Sequence, residues 1–531
     1  NKVIGNKLPS SAMDKLDSFR YINMLFNPKT LIKNAGGNVI NTAMGNVRDI
    51  IATPIDKLVS TKTGKRTVGF PNIIEQGKGL KKGVKETLED YKLGIDTSKG
   101  AVKEGAKSKA FNNVPILGKI EDMLSAGLKL GDEPFYQAAY NNNLSNAMKL
   151  NKIAEPTTQM LEDANKAGLE ATFQQRTALG DFINKGKNND NKIISSAVKT
   201  VLPFSQTPSA ILDTATNYTP LGMVRGARNL SKGMQREGVN QLASGILGTG
   251  LIGAGYGLAK DGILTGDLAE DYDTSATQRQ AGMQPYALKN GDTYRNIDFA
   301  QPAASPLMMG ADIANGENSL GGILATGINS IAGNSYLSGL QDIANTLAYK
   351  DWGGLPASVI KNYASQLLPF GSFSNAINKT IDPTVKDNTS ESDLGKEMNK
   401  AVSKIPILSS NLPQATDSTG EPKLYSDKGL GSRALSNFIT PWNTTEYNPN
   451  SVEKKALDIY NSTGDTIQMP RVAPNTIDLG KGEKYKLTAE DKKIYSEMIG
   501  SALKKAPSNA EDMQKAMTSA VKKFKDIIKK K

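Results

Sequence analysis

The chain has 531 residues and contains neither cysteine nor histidine, which excludes Ser-His-Asp and Cys-His nucleophiles, Cys/His zinc sites and disulfides, and leaves carboxylates, Lys, Tyr and Ser for any acid–base work. Hydrophobic residues make up 38%, aromatics 6%, and there are 50 glycines, so the expected fold is mainly α, an extended and loosely packed multi-helix assembly with long irregular linkers that leans on partner chains. Residues 1–130 carry 22 Lys/Arg against 12 Asp/Glu, while the rest of the chain is nearly balanced; that basic block points to an anionic partner (DNA, anionic lipid or a cell-wall polymer) or to a solvated lysine face.

The first 30 residues have no long apolar core, so no signal peptide is read, and the start at Asn1 reads as a piece of a longer protein. Composition divides the chain into a basic helical and linker region (1–115), a helical region with Pro-marked turns (116–235), a Gly-rich apolar segment with a β-hairpin (236–300), Gly/Ala-rich helices (301–380), a polar linker (381–450) and a C-terminal helical region (451–531). Met13, Leu16, Phe19, Ile22 and Leu25 recur at helical spacing over Ser11 to Leu25. Asn27-Pro28 breaks that pattern, and Pro28 suits the first turn of a new helix. Val39, Ile40, Ala43, Val47, Ile50 and Ile51 make the next apolar repeat, with Pro54 expected to end or kink it.

Residues 61–115 hold eight glycines among lysines and are expected to form a flexible cationic linker with short helices. Lys62, Lys65, Arg66, Lys78, Lys81, Lys82 and Lys85 are its candidate contacts to DNA or another polyanion. Any such contact would be electrostatic, sequence-blind and salt-sensitive. The run 77–83 lacks the Gly-x4-Gly-Lys-Ser/Thr spacing of a phosphate loop. From Ile116 to Leu130 a helix is expected, and after it Asp132 reads as an N-cap with Pro134 in the first turn of another.

Residues 193–235 alternate helix with turns at Leu202-Pro203, Thr207-Pro208 and Thr219-Pro220. Gly238 to Ala259 is uncharged for 22 residues and holds seven glycines. That length can cross a bilayer as a helix. Gly253 and Gly257 form a Gly-x3-Gly pair, Gly250 and Ala254 a small-x3-small pair, and with Leu242 they are the candidate helix-packing or membrane contacts. A buried helix hairpin is the other reading of the segment. Asn290-Gly291 predicts one small hairpin over 284–300. Leu320 to Ala332 is a second weakly apolar helix. At the end, Met513, Met517, Ala520, Val521, Phe524, Ile527 and Ile528 form an amphipathic stripe behind a capping box of Ser508 and Glu511, which fits an ordinary packed helix and also a membrane-surface helix.

No metal-loop spacing, dinucleotide fingerprint or paired-carboxylate motif is present, so no cofactor, metal or catalytic residue is assigned. Glu86, Glu89 and Asp90 read as salt-bridged helix surface.

An ordered set of short segments resembles the helical regions of the very large polyvalent proteins and internal virion (ejection) proteins of tailed bacteriophages. The segments are Met24-Leu25-Phe26-Asn27-Pro28-Lys29-Thr30, Lys33-Asn34, Gly37-Asn38, Gly131 to Tyr136, Ala138-Ala139-Tyr140, Pro203 to Pro208, Tyr218 to Gly222, Gly262 to Gly266 and Gly282 to Tyr286. They span about residues 20–300; residues 300–531 match the pattern poorly. The resemblance implies a helical protein held in the capsid or tail lumen and released with the genome; such proteins often carry separate enzyme domains, cell-wall lytic ones included, and because no residue set for such activity is read in this chain it is expected to be non-enzymatic. It would be ejected to the host envelope and assemble as a homo-oligomer beside portal, tail and other ejected proteins, with DNA and the host membrane as further partners. A tape-measure component is a second reading, although sustained heptads are missing. The non-catalytic scaffold of an injected defence-blocking or DNA-modifying polyprotein is a third.

Overall fold

A computed structural model of the chain describes residues 25–93, 115–190, 195, 198, 206–316, 371–390, 392–480 and 482–531. The expected helix over Ser11 to Leu25, the turn at Leu202-Pro203 and the segment Leu320 to Ala332 lie outside these residues, Leu25 itself excepted. The described chain is mainly helical, with a few antiparallel strands in two small sheets. It forms two units. The first comprises 1–261 with 297–369, and the second 262–296 with 370–531.

In the first unit the helices are α1 (Pro28–Thr63), α2 (Ile73–Leu93), α3 (Pro115–Asn151), α4 (Thr158–Ala171), α5 (Ala178–Lys187), α6 (Gln206–Asn217), α7 (Pro220–Ser231) and α8 (Gln235–Lys260), followed by α10 (Ser305–Ala314). Pro28 opens α1 as expected, with the Asn27 side chain accepting from the Lys29 amide at 2.9 Å. Pro54 does not end that helix. It sits on the exposed side of the helix, which runs on through it to Thr63.

The cationic linker is also corrected. Over 73–93 the chain is a 21-residue helix, because Gly79 and Gly83 let it lie directly on the α3 backbone at Gln137 and Pro134. Its Thr87 and Asp90 are buried on the same side, and Asp90 receives Lys129 at 3.1 Å. Residues 94–114 lie outside the described chain.

Asp132 and Pro134 do not start a helix but lie within α3, which runs on through Asn151. From Gly131 to Met148 no residue of α3 is exposed, making it the central helix of this unit. The Asp132 carboxylate accepts from Asn34 and Asn38 at 2.9 Å each and from Gln174 at 3.2 Å. Burial pushes its pKa up to about 6, against the effect of those three donors.

The second unit holds α9 (Tyr272–Gln280), β1 (Ala287–Asn290), β2 (Thr293–Asn296), α11 (Gly371–Ile381), α12 (Asp393–Val402), α13 (Leu430–Phe438), β3 (Thr444–Glu446), α14 (Ser451–Thr463), β4 (Thr476–Gly480), β5 (Glu483–Lys486), α15 (Ala489–Lys505) and α16 (Ala510–Ile528). The hairpin forms with Asn290 paired to Thr293 and Gly291 at φ +58°, so the turn is Gly291-Asp292, one residue later than Asn290-Gly291. A third strand, β3, pairs with β2.

That strand comes from the stretch expected to be a polar linker. The stretch is instead ordered by helices α12 and α13 and by short bridges such as Lys386 with Gln414. Asp382 and Asp417 close its turns by accepting from the Thr384 and Thr419 amides, at 2.9 and 2.8 Å. The β4–β5 hairpin was not expected at all; its Ile477 and Leu479 alternate inward, and Gly480 and Gly482 turn at positive φ.

The core of this unit is conventional: Met513, Met517, Ala520, Phe524 and Ile528 of α16 meet Tyr495, Ile499 and Leu503 of α15. Five of the seven apolar positions read from the tail face this core or its edge in full burial, while Ile527 is exposed. The α16 cap is Asn509, not Ser508, with its side chain accepting from the Asp512 amide at 2.9 Å.

Candidate functional site

Helix α1 turns a polar side inward, and α2 buries small and polar residues while it carries an apolar stripe outward beside its lysines. In α1 the buried residues are Asn38, Asp49, Ala52, Thr53 and Asp56. Between Ile32 and Pro54 its exposed residues are all apolar: Ile32, Val39, Ala43, Val47, Ile50 and Pro54. In α2 the buried residues are Gln76, Gly79, Gly83, Thr87 and Asp90. Its exposed side carries Ile73, Leu80, Val84, Leu88 and Tyr91 at steps of seven, four, four and three, a continuous stripe on a helix. Leu88 is 46% exposed and Ile73 63%. Such a long outward stripe is more than the scattered apolar residues of an ordinary surface.

The polar side is inward because its partners are there. Asp56, with no exposed surface, accepts from Arg66 Nε at 2.7 Å, from the Thr67 amide and hydroxyl at 3.1 and 2.7 Å, and from Gln235 at 3.0 Å. Gln76 and Asn46 exchange hydrogen bonds of 2.6 and 3.2 Å between α2 and α1. The unit is thus joined by buried hydrogen bonds and small residues, together with Ile51, Ile55 and Val59 of α1 packed about Ala52, Val239 and Ala243, while the apolar residues named above stay outside.

The sequence-derived cationic residues fall into three situations. Arg66 is removed from the candidate polyanion contacts by its pairing with Asp56. Lys62 and Lys65 are exposed where α1 ends at Gly64. Lys78, Lys81, Lys82 and Lys85 are exposed along α2, beside the apolar stripe. Three of these four reach glutamates on their own helix: Lys78 to Glu75 at 2.6 Å, and Lys82 to Glu86 and Lys85 to Glu89 at 3.7 Å. Exposed pairs of this kind are weak and easily exchanged.

The glycine-rich segment folds as α8, which is long and apolar enough to cross a membrane, with a mean hydropathy of 1.4 over its best 18 residues and 28% of that window buried. Its packing glycines are not the ones the Gly-x3-Gly spacing points to. Gly250, Gly253 and Gly257 have open space where a Cβ would stand, and Ala254 is exposed. The close approaches are made instead by Gly238, Gly245, Gly248 and Gly255. Gly238 meets Gly226 of α7, and Gly255 meets α10 at Leu307 beside Gly310, so helices cross where both carry glycine. Leu242 lies over Gly226 of α7. The reason is placement: α7 and α10 both lie on one side of α8, and the opposite glycines have no partner within the described residues.

Among the described residues no group of three or more acidic side chains is gathered to hold a metal ion. No family model matches the chain, and neither a curated protein nor a solved structure is found to be similar to it.

Proposed function

We propose that this chain is a non-enzymatic structural protein of a tailed phage, carried in the particle and released to the host envelope at infection. There it assembles with copies of itself and with other ejected proteins as a helical channel or sheath through which the genome passes. The observation that carries the reading is the outward apolar stripe on each of α1 and α2. Helices that hold apolar stripes this long outward suit a surface that ends up against lipid rather than in water. Lysines beside the α2 stripe add attraction to anionic headgroups. The open glycine stripe of α8 would let a second helix approach closely.

The first test is flotation of the full chain with phosphatidylcholine vesicles, with and without phosphatidylglycerol. The chain should float with both and more strongly with the anionic ones. Val84→Asp combined with Leu88→Asp should weaken binding at least about tenfold, since each side chain loses roughly 1.5 kcal/mol or more of apolar transfer. No flotation with either lipid, or equal flotation of the double variant, would remove the membrane part of the proposal.

A further inference from the structure

A cavity of about 310 Å³ opens on the surface of the first unit where α6, α7 and α8 meet. That is the small end of the usual range for ligand sites, roughly 300–1,000 Å³. Asp213 of α6, Arg225, Arg228 and Asn229 of α7, Lys232 at the end of α7 and Gln241 of α8 line it. Positions 225, 228 and 232 are three and four residues apart, so the three cations stand along one side of the helix. Arg225 and Asp213 cancel: Arg225 Nη1 donates to Asp213 Oδ1 at 2.9 Å and to Asn217 Oδ1 at 3.1 Å. The other Asp213 oxygen accepts from Asn217 at 3.4 Å, so both oxygens of this carboxylate are taken. Arg228 and Lys232 are exposed, and among the described residues neither pairs with a carboxylate. Like charges four residues apart repel, and no acid in the lining is left to relieve that repulsion.

The neutral residues add to the same bias. Asn229 Nδ2 donates to Gln241 Oε1 at 2.7 Å, which uses the acceptor of Gln241 and leaves its Nε2 to donate. Apart from Asn229 Oδ1, the side-chain groups left over in the lining are then all donors: the Arg228 guanidinium, the Lys232 ammonium, the Gln241 amide and Nε and Nη2 of Arg225. Water hydrates each cation singly, whereas an anion with several oxygens can bridge them and relieve their repulsion. The guanidinium fork takes two oxygens of such an anion and the ammonium acts on it as a point charge. A phosphate monoester offers three acceptor oxygens and a charge of about −1.5 to −2 at neutral pH. That matches the two open charges, while a diester or a carboxylate brings one.

We propose that this cavity binds a phosphate monoester, either a free one or the headgroup of a lipid. The site uses no residue of α1 or α2 and does not depend on what their outward faces touch.

Calorimetric titration of the full chain with glycerol 3-phosphate at low salt tests it, with the monoanion dimethyl phosphate as control. The monoester should bind saturably and at least about tenfold more tightly than the diester, and added salt should weaken it. Arg228→Gln combined with Lys232→Gln should weaken binding at least about tenfold. Both side chains are exposed, so the double variant should fold, and circular dichroism checks that it does. Should it not fold, Lys232→Gln alone takes its place and should weaken binding about threefold or more. Phosphatidylcholine vesicles with and without phosphatidic acid then separate the two sources. Displacement of bound glycerol 3-phosphate only by the vesicles that contain phosphatidic acid assigns a lipid headgroup; no displacement assigns a soluble ester. Absence of saturable heat would mean that the two cations merely complement the C-terminal end of α7, and would overturn the proposal. So would equal affinity for the diester, or monoester binding unchanged in the folded variant.

Discussion

Gly248→Leu should abolish cooperative folding of the first unit, while Gly253→Leu, five residues along the same helix, should leave it intact. A side chain at 248 would collide with the carbonyl group of Tyr218. That carbonyl cannot swing aside, because the Tyr218 ring is itself 4% exposed and Thr219 caps α7 immediately after it. Overpacking against backbone usually costs about 1–3 kcal/mol and more where nothing can move. A leucine here demands that α8 lift away from the α6–α7 turn, which also undoes the contacts at Gly245 and Gly255. Position 253 meets nothing within 4 Å, so Gly253→Leu adds a side chain in open space, and Gly253→Ala should stabilise the helix by about 0.5–1 kcal/mol. Hydrogen exchange read separately over the two units checks this. In Gly248→Leu the amides of α1, α3 and α8 should lose protection while those of α15 and α16 keep theirs. Equal protection in Gly248→Leu and Gly253→Leu would show that α8 does not pack by its buried glycines.

The second large effect is expected at Asp56. Its carboxylate gathers donors from three places: Arg66, the Thr67 backbone and side chain, and Gln235 at the start of α8. Asp56→Ala takes their shared acceptor from these partly buried donors, of which Gln235 keeps the Lys65 carbonyl and Arg66 the Val68 carbonyl; breaking a fully buried pair by removing one partner costs about 3–5 kcal/mol. Arg66 keeps 23% of its side chain exposed and can partly rehydrate, which places the expected loss near the lower end, about 3 kcal/mol. Asp56→Asn should cost less, because its oxygen still accepts from Thr67. Chemical denaturation of both variants measures the order. A loss below about 1 kcal/mol for Asp56→Ala would contradict the view that buried polar contacts hold α1 to its neighbours.

The tail of the chain was the most legible part. In α16 apolar spacing, burial and core coincide, and only the cap was displaced by one residue, from Ser508 to Asn509. The hairpin of β1 and β2 was legible from Asn290-Gly291 because turn chemistry is local, although the turn itself falls one residue later, at Gly291-Asp292. The basic stretch was not. Gly79 and Gly83 look like helix breakers in a linear reading, yet they are where α2 touches the α3 backbone; glycine lowers intrinsic helicity but permits close approach, and the neighbour decides which effect wins. The same holds in α8. Spacing alone cannot tell Gly253 from Gly255, since the difference is the side on which α10 lies. Asp132 was mistaken for a cap because Pro134 follows it; only a partner from α1, far away in sequence, reveals it as a buried acceptor. The β4–β5 hairpin left a signal of just two alternating residues, Ile477 and Leu479, between glycines.

The central claim is that the outward apolar residues of α1 and α2 end up against lipid. Because the chain has no cysteine, Val84→Cys and Thr87→Cys each give a single attachment point for a nitroxide label, one on the outward stripe and one on the buried side. Collision of the label with oxygen and with a water-soluble nickel chelate, with and without phosphatidylglycerol vesicles, reads its surroundings directly. With vesicles, the label at 84 should gain contact with oxygen and lose contact with nickel, while the label at 87 changes little. A label at 84 that stays as open to nickel as in buffer, or that loses contact with both reagents as it would beneath another protein chain, would contradict the account.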